Sequence, residues 1–246
     1  IDRSSRNYDL KKHLFTMVPN ITMVSVSDWL HELVAESYMS KYPIRTIHNG
    51  IDLEKFKPSE NSFRKQHNLE GKFMVLGVAD GYGQRKGIPE FNKLSERFGD
   101  DVKIVMVGLT ESDKKQISPK IIGMGRTSNQ QELIDIYSTV DVFINPTYED
   151  NFPTTNIEAL ACGTPVVTYR TGGSPEALDE NTGLVVEKGD VEVLISAIST
   201  IRNNGKSTYS KACRERAVKC FNKDDRFEDY VSVYEEVMTN SKQQGI

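Results

Sequence analysis

The chain has 246 residues, 37% of them hydrophobic, and a formal net charge of −4, a composition typical of a globular protein of one or two domains. The acidic balance argues against nucleic acid or an anionic membrane as a partner, because both attract basic patches. The three cysteines have no metal-ligand spacing and no even disulfide count, so we expect free thiols in a reducing compartment. No apolar run approaches the roughly 20 residues of a membrane span.

The first part of the chain predicts a short βαβ unit. Residues 21–27 (ITMVSVS) predict a strand, residues 29–40 an amphipathic helix, and residues 43–52 a second strand that ends in an Asn-Gly turn. The polar, proline-containing stretch 53–61 is the best candidate for a linker. Because the chain begins at Ile1 rather than at a methionine, an upstream part is expected to be missing.

The rest of the chain alternates between short β-branched runs and segments of helical period. Strands are predicted at 72–79, 102–109, 119–125, 141–147, 164–170 and 182–187. Helices are predicted at 88–99, 129–140, 153–162, 190–205 and 223–239, and the apolar stripe of the last one is expected to pack in the core. This alternation predicts an α/β fold with a doubly wound, Rossmann-like parallel sheet.

Two carboxylates flank the start of the helix predicted at 153–162. Asp150 follows a predicted strand end, where ligands bind in open α/β sheets, and Glu158 lies off the helix's apolar stripe. The first-turn N–H groups near Thr154 and Thr155 predict an anion site. Acids beside an anion site are explained if they accept hydrogen bonds from hydroxyls. Phosphate and hydroxyls together indicate a nucleotide sugar.

Several ordered motifs extend this pattern along the chain. They are HNGID (48–52), KG (86–87), DVFINPTYEDNFPTTNIEALACGTPVV (141–167), TGGSPEAL (171–178) and GLVVEKGD (183–190). Together they resemble the retaining glycosyltransferases of family 4 (glycosyl transferases group 1), which have the two-domain GT-B fold. The resemblance runs through about residues 20–240.

The resemblance implies a domain organisation and an activity. Residues 1–44 would end a truncated N-terminal acceptor domain, 45–222 would form the Rossmann-like nucleotide-sugar-binding domain, and 223–246 would be a helix crossing back toward the N-terminal domain. The enzyme would transfer a sugar, with retention, from a nucleoside-diphosphate sugar to a saccharide or lipid-linked acceptor. It would need no metal or other cofactor. The expected setting is surface polysaccharide biosynthesis, in the cytoplasm or at the inner face of the membrane through the missing domain, and the fragment alone is expected to be inactive.

The resemblance also implies roles for charged residues, all around one cavity. Asp150 would bind hydroxyls of the donor sugar, and Glu158 would bind the ribose. Lys86, with Arg85, would bind the diphosphate and stabilise the charge that develops on the leaving group.

Backbone groups complete the implied site. Gly125 and Arg126 would hold the base through their backbone, and Gly172 and Gly173 would let the chain pass close to the donor. Hydroxyls of Thr154 and Thr155 could replace an N–H lost at position 153.

The chain departs from the family pattern at several positions. The first acid is Asp150 where the family usually has Glu, residues 151–153 read Asn-Phe-Pro instead of Gly-Phe-Gly, and residues 80–82 lack the usual basic residue. These departures keep a non-catalytic GT-B-like binding module open as an alternative, beside a nucleotide-sugar epimerase. The stretch 81–87 (GYGQRKG) also approaches a dinucleotide fingerprint, but its third glycine is displaced.

Overall fold

The computed structural model, which describes residues 2–243, has a two-stranded and a six-stranded parallel sheet surrounded by helices. The strands are β1 (Met23–Ser25), β2 (Ile44–Thr46), β3 (Phe73–Val78), β4 (Val102–Val107), β5 (Ile122–Met124), β6 (Val142–Asn145), β7 (Val166–Tyr169) and β8 (Gly183–Val186). The helices are α1 (Ser4–Thr16), α2 (Asp28–Ala35), α3 (Phe63–Gln66), α4 (Ile88–Arg97), α5 (Glu111–Lys114), α6 (Gln130–Thr139), α7 (Thr154–Ala161), α8 (Val191–Asn204), α9 (Ser207–Cys220) and α10 (Lys223–Gln243), with a 3₁₀-helix at Ser174–Ala177.

The larger sheet has the order β5-β4-β3-β6-β7-β8 with every pair parallel. The strand order reverses between β3 and β6, since the chain first builds outward on one side of β3 and then on the other. Helix α4 contacts α8, whereas α7 contacts α6 and α9, so helices cover both faces. The predicted doubly wound α/β fold is confirmed.

The centre of this sheet is fully buried. Val75, Leu76, Phe143, Val166 and Val167 have no solvent exposure, as expected for parallel strands covered on both faces. Their apolar runs are continuous rather than alternating, which is why the strands could be located from the sequence.

Strands β1 and β2 form a separate small sheet with α2 packed on it. The domain boundary predicted at residues 44 and 45 falls inside β2, because Ile44–Thr46 pairs with Met23–Ser25. Glu176, in the 3₁₀-helix, joins this unit to the larger sheet: its carboxylate accepts the N–H groups of Asp28 (2.8 Å) and Trp29 (2.9 Å) at the start of α2.

The stretch 53–61 is not a free linker. Leu53 and Phe56 are buried, and the Arg214 guanidinium on α9 donates to the carbonyl groups of Leu53 (3.1 Å), Phe56 (2.6 Å) and Ala161 (3.1 Å). Polar composition indicated a linker, but the stretch is held on the domain by two buried apolar side chains and by carbonyl groups that accept hydrogen bonds from the partly buried Arg214 guanidinium. Helices α1 and α9 were also not predicted.

The last helix runs along the N-terminal unit. Arg45 of β2 forms an ion pair with Glu236 of α10 (2.7 Å). The predicted core packing of its apolar stripe is wrong for the described chain, since Phe227 and Tyr234 are each 62% exposed. Residues 244–246 of the predicted C-terminal segment lie outside the described residues.

Between residues 2 and 243, none of the helices combines the length and the apolar character needed to cross a bilayer.

Candidate functional site

Two loops meet where the strand order reverses, one after β3 (residues 79–87) and one after β6 (residues 146–153). Strand carboxyl ends on either side of such a reversal form the crevice that binds ligands in doubly wound folds. The loops are tied together by the N–H of Tyr148, which donates to the Arg85 carbonyl (2.9 Å). In addition, the Arg85 guanidinium donates to the Glu149 carbonyl (3.1 Å).

The closest charge contact between these loops joins Lys86 to Asp150. Lys86 Nζ lies 2.5 Å from Asp150 Oδ2, and the two side chains are 20% and 18% exposed. They line a cavity of about 490 Å³ whose wall also includes Arg85, Asn151 and Phe152. Lys86 and Asp150, which the resemblance places at one site, therefore lie together at this rim, with the ammonium and the carboxylate neutralising each other.

Helix α7 begins beside this ion pair and presents free N–H groups. Pro153, predicted as the first helical residue, lies one position earlier as the N-cap and has no side-chain hydrogen bond. Among the described residues, nothing accepts a hydrogen bond from the backbone N–H of Thr154 or Thr155. Unpaired first-turn donors and the helix dipole together favour an anion here.

Glu158 lies one turn further along α7 and is partly buried. Its Oε2 accepts a hydrogen bond from the hydroxyl of Tyr137 on α6 (3.0 Å). Burial raises the pKa of Glu158, although the Tyr137 and Thr154 hydroxyl groups act in the opposite direction. Burial and the nearby Glu158 carboxylate raise the pKa of Tyr137 well above its ordinary value, so this hydroxyl stays a donor.

Glu158 and Thr155 line a second cavity of about 440 Å³ at the carboxyl ends of β3 and β4. Its wall combines apolar and polar residues; they include Val78, Ala79, Val107, Leu133, Thr127 and Asn129. An apolar slot with a few polar groups at its rim is the usual form of a small-molecule site. Arg126 and Asp80 form an exposed ion pair at the rim (2.9 Å).

The sequence predicts one cavity for residues 86, 150 and 158, and the structure divides them between two. Lys86 and Asp150 are drawn together by their ion pair, whereas Glu158 is directed toward Tyr137. The first turn of α7 lies between them along the chain. The loop that follows β3 contributes residues to both cavities, whereas the loop that follows β6 lines only the first and α7 lines the second.

The predicted glycines do not line either cavity. A Cβ on Gly172 would lie 1.8 Å from the Asp150 carbonyl oxygen, and one on Gly173 would lie 2.1 Å from the Asn151 carbonyl oxygen. The Gly173 N–H donates to that Asn151 oxygen (3.1 Å). These glycines therefore allow close approach of the Asp150 loop rather than of a ligand. The Gly125 carbonyl accepts from the Gly108 N–H (3.1 Å) and is likewise already used.

A separate group of possible metal ligands lies outside these cavities. Asp28, His48 and Glu176 bring their ligand atoms within 4.8 Å of one another. The Glu176 carboxylate is already occupied by two backbone N–H groups and by His48 Nε2 (2.8 Å). This group acts as a structural link, and none of the residues predicted for the site belongs to it.

The loop geometry also involves residues to which the sequence analysis gave no role. Tyr137 on α6 is one of them, and no sequence signal shows that its hydroxyl reaches Glu158. Tyr148 connects the two loops through its N–H, and its hydroxyl donates to the buried Glu90 carboxylate (2.7 Å).

Comparison with known proteins identifies the family to which this site belongs. Residues 74–204, which include both loops and α7, match the profile of the family described as Glycosyl transferases group 1. The chain belongs to this family. The family-level resemblance noted from the motifs is thereby confirmed.

Two curated relatives illustrate the similarity. The chain is 26% identical over 238 residues to the capsular polysaccharide biosynthesis glycosyltransferase CapM of Staphylococcus aureus, covering 89% of this chain and 63% of CapM. It is 25% identical over 203 residues to N,N'-diacetylbacillosaminyl-diphospho-undecaprenol alpha-1,3-N-acetylgalactosaminyltransferase of Campylobacter jejuni, covering 78% of this chain and 54% of that enzyme. The chain thus spans only about half to three-fifths of the length of these glycosyltransferases.

Solved structures agree with the fold. Sucrose-phosphate synthase from Thermosynechococcus elongatus superposes with a TM-score of 0.82 at 23% identity, over 98% of this chain and 63% of that one. Anabaena HepE in complex with UDP-glucose gives a TM-score of 0.79 at 18% identity, over 95% of this chain and 68% of that one. At these identities the likeness concerns the GT-B fold alone.

Proposed function

We propose that this chain is the donor-binding half of a retaining glycosyltransferase that uses a nucleoside-diphosphate sugar. One observation carries the proposal: a cation, a carboxylate and helix N–H groups that have no acceptor among residues 2–243 lie at the strand reversal, beside a cavity lined by a second carboxylate. The cation and first carboxylate are Lys86 and Asp150, the free amides belong to Thr154 and Thr155, and the second carboxylate is Glu158.

The nucleoside would occupy the cavity beside Glu158. Apolar residues of its lining would contact the base, and the Glu158 carboxylate would accept a ribose hydroxyl while the Tyr137 hydroxyl donates to the same carboxylate. Arg126 lines this cavity, and its backbone would recognise the base there. Anabaena HepE has been solved with UDP and with UDP-glucose, which supports a nucleoside diphosphate as the ligand class.

The diphosphate would lie across the start of α7. Lys86, Arg85 and the first-turn amides supply positive potential on two sides of this position. Because fixed cations and amides can balance the diphosphate charge, we propose that no divalent cation is required. Lys86 would then stabilise the negative charge that develops on the leaving diphosphate, a preorganised electrostatic contribution.

The sugar would lie on the Asp150 side of the diphosphate. Donor binding would exchange the Lys86–Asp150 ion pair for two new contacts, ammonium to phosphate and carboxylate to sugar hydroxyl. Retention of configuration is proposed from the resemblance of this carboxylate pair to the family 4 pattern.

The acceptor would be bound by protein outside residues 1–246. The proposed organisation is an acceptor-domain remnant at 1–44 extending through β2, a donor domain to residue 222, and α10 returning along the remnant. The name of the Campylobacter relative includes a diphospho-undecaprenol group. A lipid-linked or saccharide acceptor, handled in the cytoplasm or at the inner membrane face during surface polysaccharide assembly, follows as the proposed setting.

Calorimetric titration of the chain with UDP, GDP and ADP tests this function. We expect one nucleotide to bind, with unchanged affinity in excess EDTA, and Lys86→Met to weaken the diphosphate at least tenfold more than the matching nucleoside. Lys211→Met, which removes an exposed ammonium on α9 that lines neither cavity, is the control. Absence of binding by all three nucleotides at millimolar concentration would instead support a non-catalytic module.

A further inference from the structure

The loop that carries the basic residues of the site is fixed at its first half. The Gly81 N–H donates to the Gly108 carbonyl (3.1 Å), and Gly81 and Gly83 have φ values of 76° and 59°, which glycine adopts without strain. The Tyr82 side chain is buried and packs edge-on against Phe91, with ring centroids 5.9 Å apart. By contrast, Gln84 and Arg85 in the second half are exposed.

A buried carboxylate from another element completes this anchor. Asp113 on α5 is 6% exposed and accepts the N–H groups of Tyr82 and Gly83, each at 3.3 Å. It also accepts the N–H (3.0 Å) and hydroxyl (2.8 Å) of Thr110. Burial raises the pKa of Asp113, but these hydrogen bonds outweigh it and the pKa lies below its usual value, so the carboxylate is charged at neutral pH.

These contacts exceed what capping of α5 requires. In a capping box, the acid at the third helical position bonds the N-cap N–H, and Thr110 already supplies that partner. Asp113 uses its remaining oxygen capacity on two consecutive amides of a glycine loop that leads to Lys86. Those two amides therefore point into the protein and are not available to a ligand, which leaves anion binding to the second half of the loop, the half that carries Arg85 and Lys86.

We propose that Asp113 is a positioning residue for the diphosphate part of the site. It fixes residues 81–83 and thereby holds Lys86 within reach of Asp150 and of the incoming diphosphate. This inference rests on the proposed function for its ligand and on the hydrogen bonds of Asp113 for its geometry.

The test compares Asp113→Asn with Asp141→Asn. In Asp113→Asn the amide oxygen can replace Oδ2, which leaves an NH₂ group facing the Gly83 N–H, so one loop contact becomes repulsive. Asp141 is a matched control: its carboxylate also accepts a backbone N–H, that of Met74 (2.7 Å), but at the amino end of the sheet. We expect Asp113→Asn to weaken nucleoside diphosphate binding five- to tenfold and nucleoside binding less than twofold. Asp141→Asn should change neither affinity.

Limited trypsin digestion supplies a measurement that needs no ligand. Cleavage after Arg85 and Lys86 should become several-fold faster in Asp113→Asn, and not in Asp141→Asn, when each is digested well below its unfolding temperature. If the wild-type chain binds no nucleotide, the proposed function is wrong, but the digestion still tests whether Asp113 fixes residues 81–83. If wild type binds and Asp113→Asn keeps the wild-type ratio of diphosphate to nucleoside affinity, the positioning role is wrong. If trypsin cleaves Asp113→Asn after Arg85 and Lys86 no faster than it cleaves the wild type, Asp113 does not fix the loop.

Discussion

Neutralising Asp150 should strengthen binding of the free nucleoside diphosphate and lower the preference of the site for the sugar-bearing donor over that diphosphate. In the unliganded chain, Asp150 holds Lys86 at 2.5 Å, and both side chains are about four-fifths buried. Such a pair lies between exposed ion pairs, worth about 0–1 kcal/mol, and buried ones, which cost about 3–5 kcal/mol to break. Releasing Lys86 by Asp150→Asn should therefore contribute about 1–2 kcal/mol, or roughly 5- to 30-fold in affinity for the diphosphate.

The nucleoside-diphosphate sugar should gain less affinity than the free diphosphate in Asp150→Asn, because its sugar loses the charged acceptor. A hydroxyl bound to a charged acceptor contributes about 1.5–3 kcal/mol, so Asp150→Asn should lower the ratio of donor affinity to diphosphate affinity by roughly tenfold or more. Calorimetry with both ligands at constant ionic strength measures this ratio. Glu149→Gln removes a charge from the same loop without touching the ion pair and should change both affinities by less than twofold. If Asp150→Asn lowers the affinity for the diphosphate, then Asp150 and the diphosphate do not compete for Lys86 as proposed.

Three further predictions concern other parts of the site and the core. Glu158→Gln should keep the Tyr137 hydrogen bond but weaken the ribose contact by about 1 kcal/mol, so its preference for a ribonucleotide over the 2',3'-dideoxy form should shrink about fivefold in competition titrations; an unchanged preference would exclude the ribose role. Gly173→Ala places a Cβ 2.1 Å from the Asn151 oxygen and should lower the free energy of unfolding by about 1–3 kcal/mol in urea titrations, a loss that an unchanged midpoint would contradict. Burial lowers the pKa of Lys206 to about 8, so between pH 8 and 9 the folded chain releases a proton that the unfolded chain retains, and the free energy of unfolding rises with pH. Relative to Lys206→Met, the wild-type free energy of unfolding should increase by about 1 kcal/mol over that interval. A decrease would show that the assigned direction of the pKa shift is wrong.

The sheet could be predicted because its signals are local. Continuous β-branched runs such as residues 102–109 and 141–147 mark buried parallel strands whatever their neighbours are. Helix α9 was missed because its buried positions are Tyr209, Cys213 and Ala217, a stripe that is short of large aliphatic residues and surrounded by charged ones. Its contribution depends on Arg214 reaching distant carbonyl groups, which no local pattern records.

In the candidate site, too, some features could be predicted from the sequence and others depend on the tertiary structure. Asp150 and Glu158 were proposed from their positions around the helix start, and Lys86 from the family resemblance, both of which are read from the sequence. The ion pair between two loops 64 positions apart and the contact from Tyr137 to Glu158 depend on tertiary geometry. Gly172 was assigned to the donor because a glycine shows only that something approaches closely, and here that neighbour is the backbone of Asp150.

The placement of β6 next to β3 also constrains how the polypeptide can assemble. Strand β3 forms early in the chain but pairs with β6 only after β4 and β5 have been made, so one side of its hydrogen-bonding backbone stays open during synthesis. Pairings between distant segments form slowly, and an open apolar strand invites association with other chains. Products that terminate before Val142 should therefore accumulate in inclusion bodies, and deletion libraries of this chain should recover soluble material only when β6 is retained.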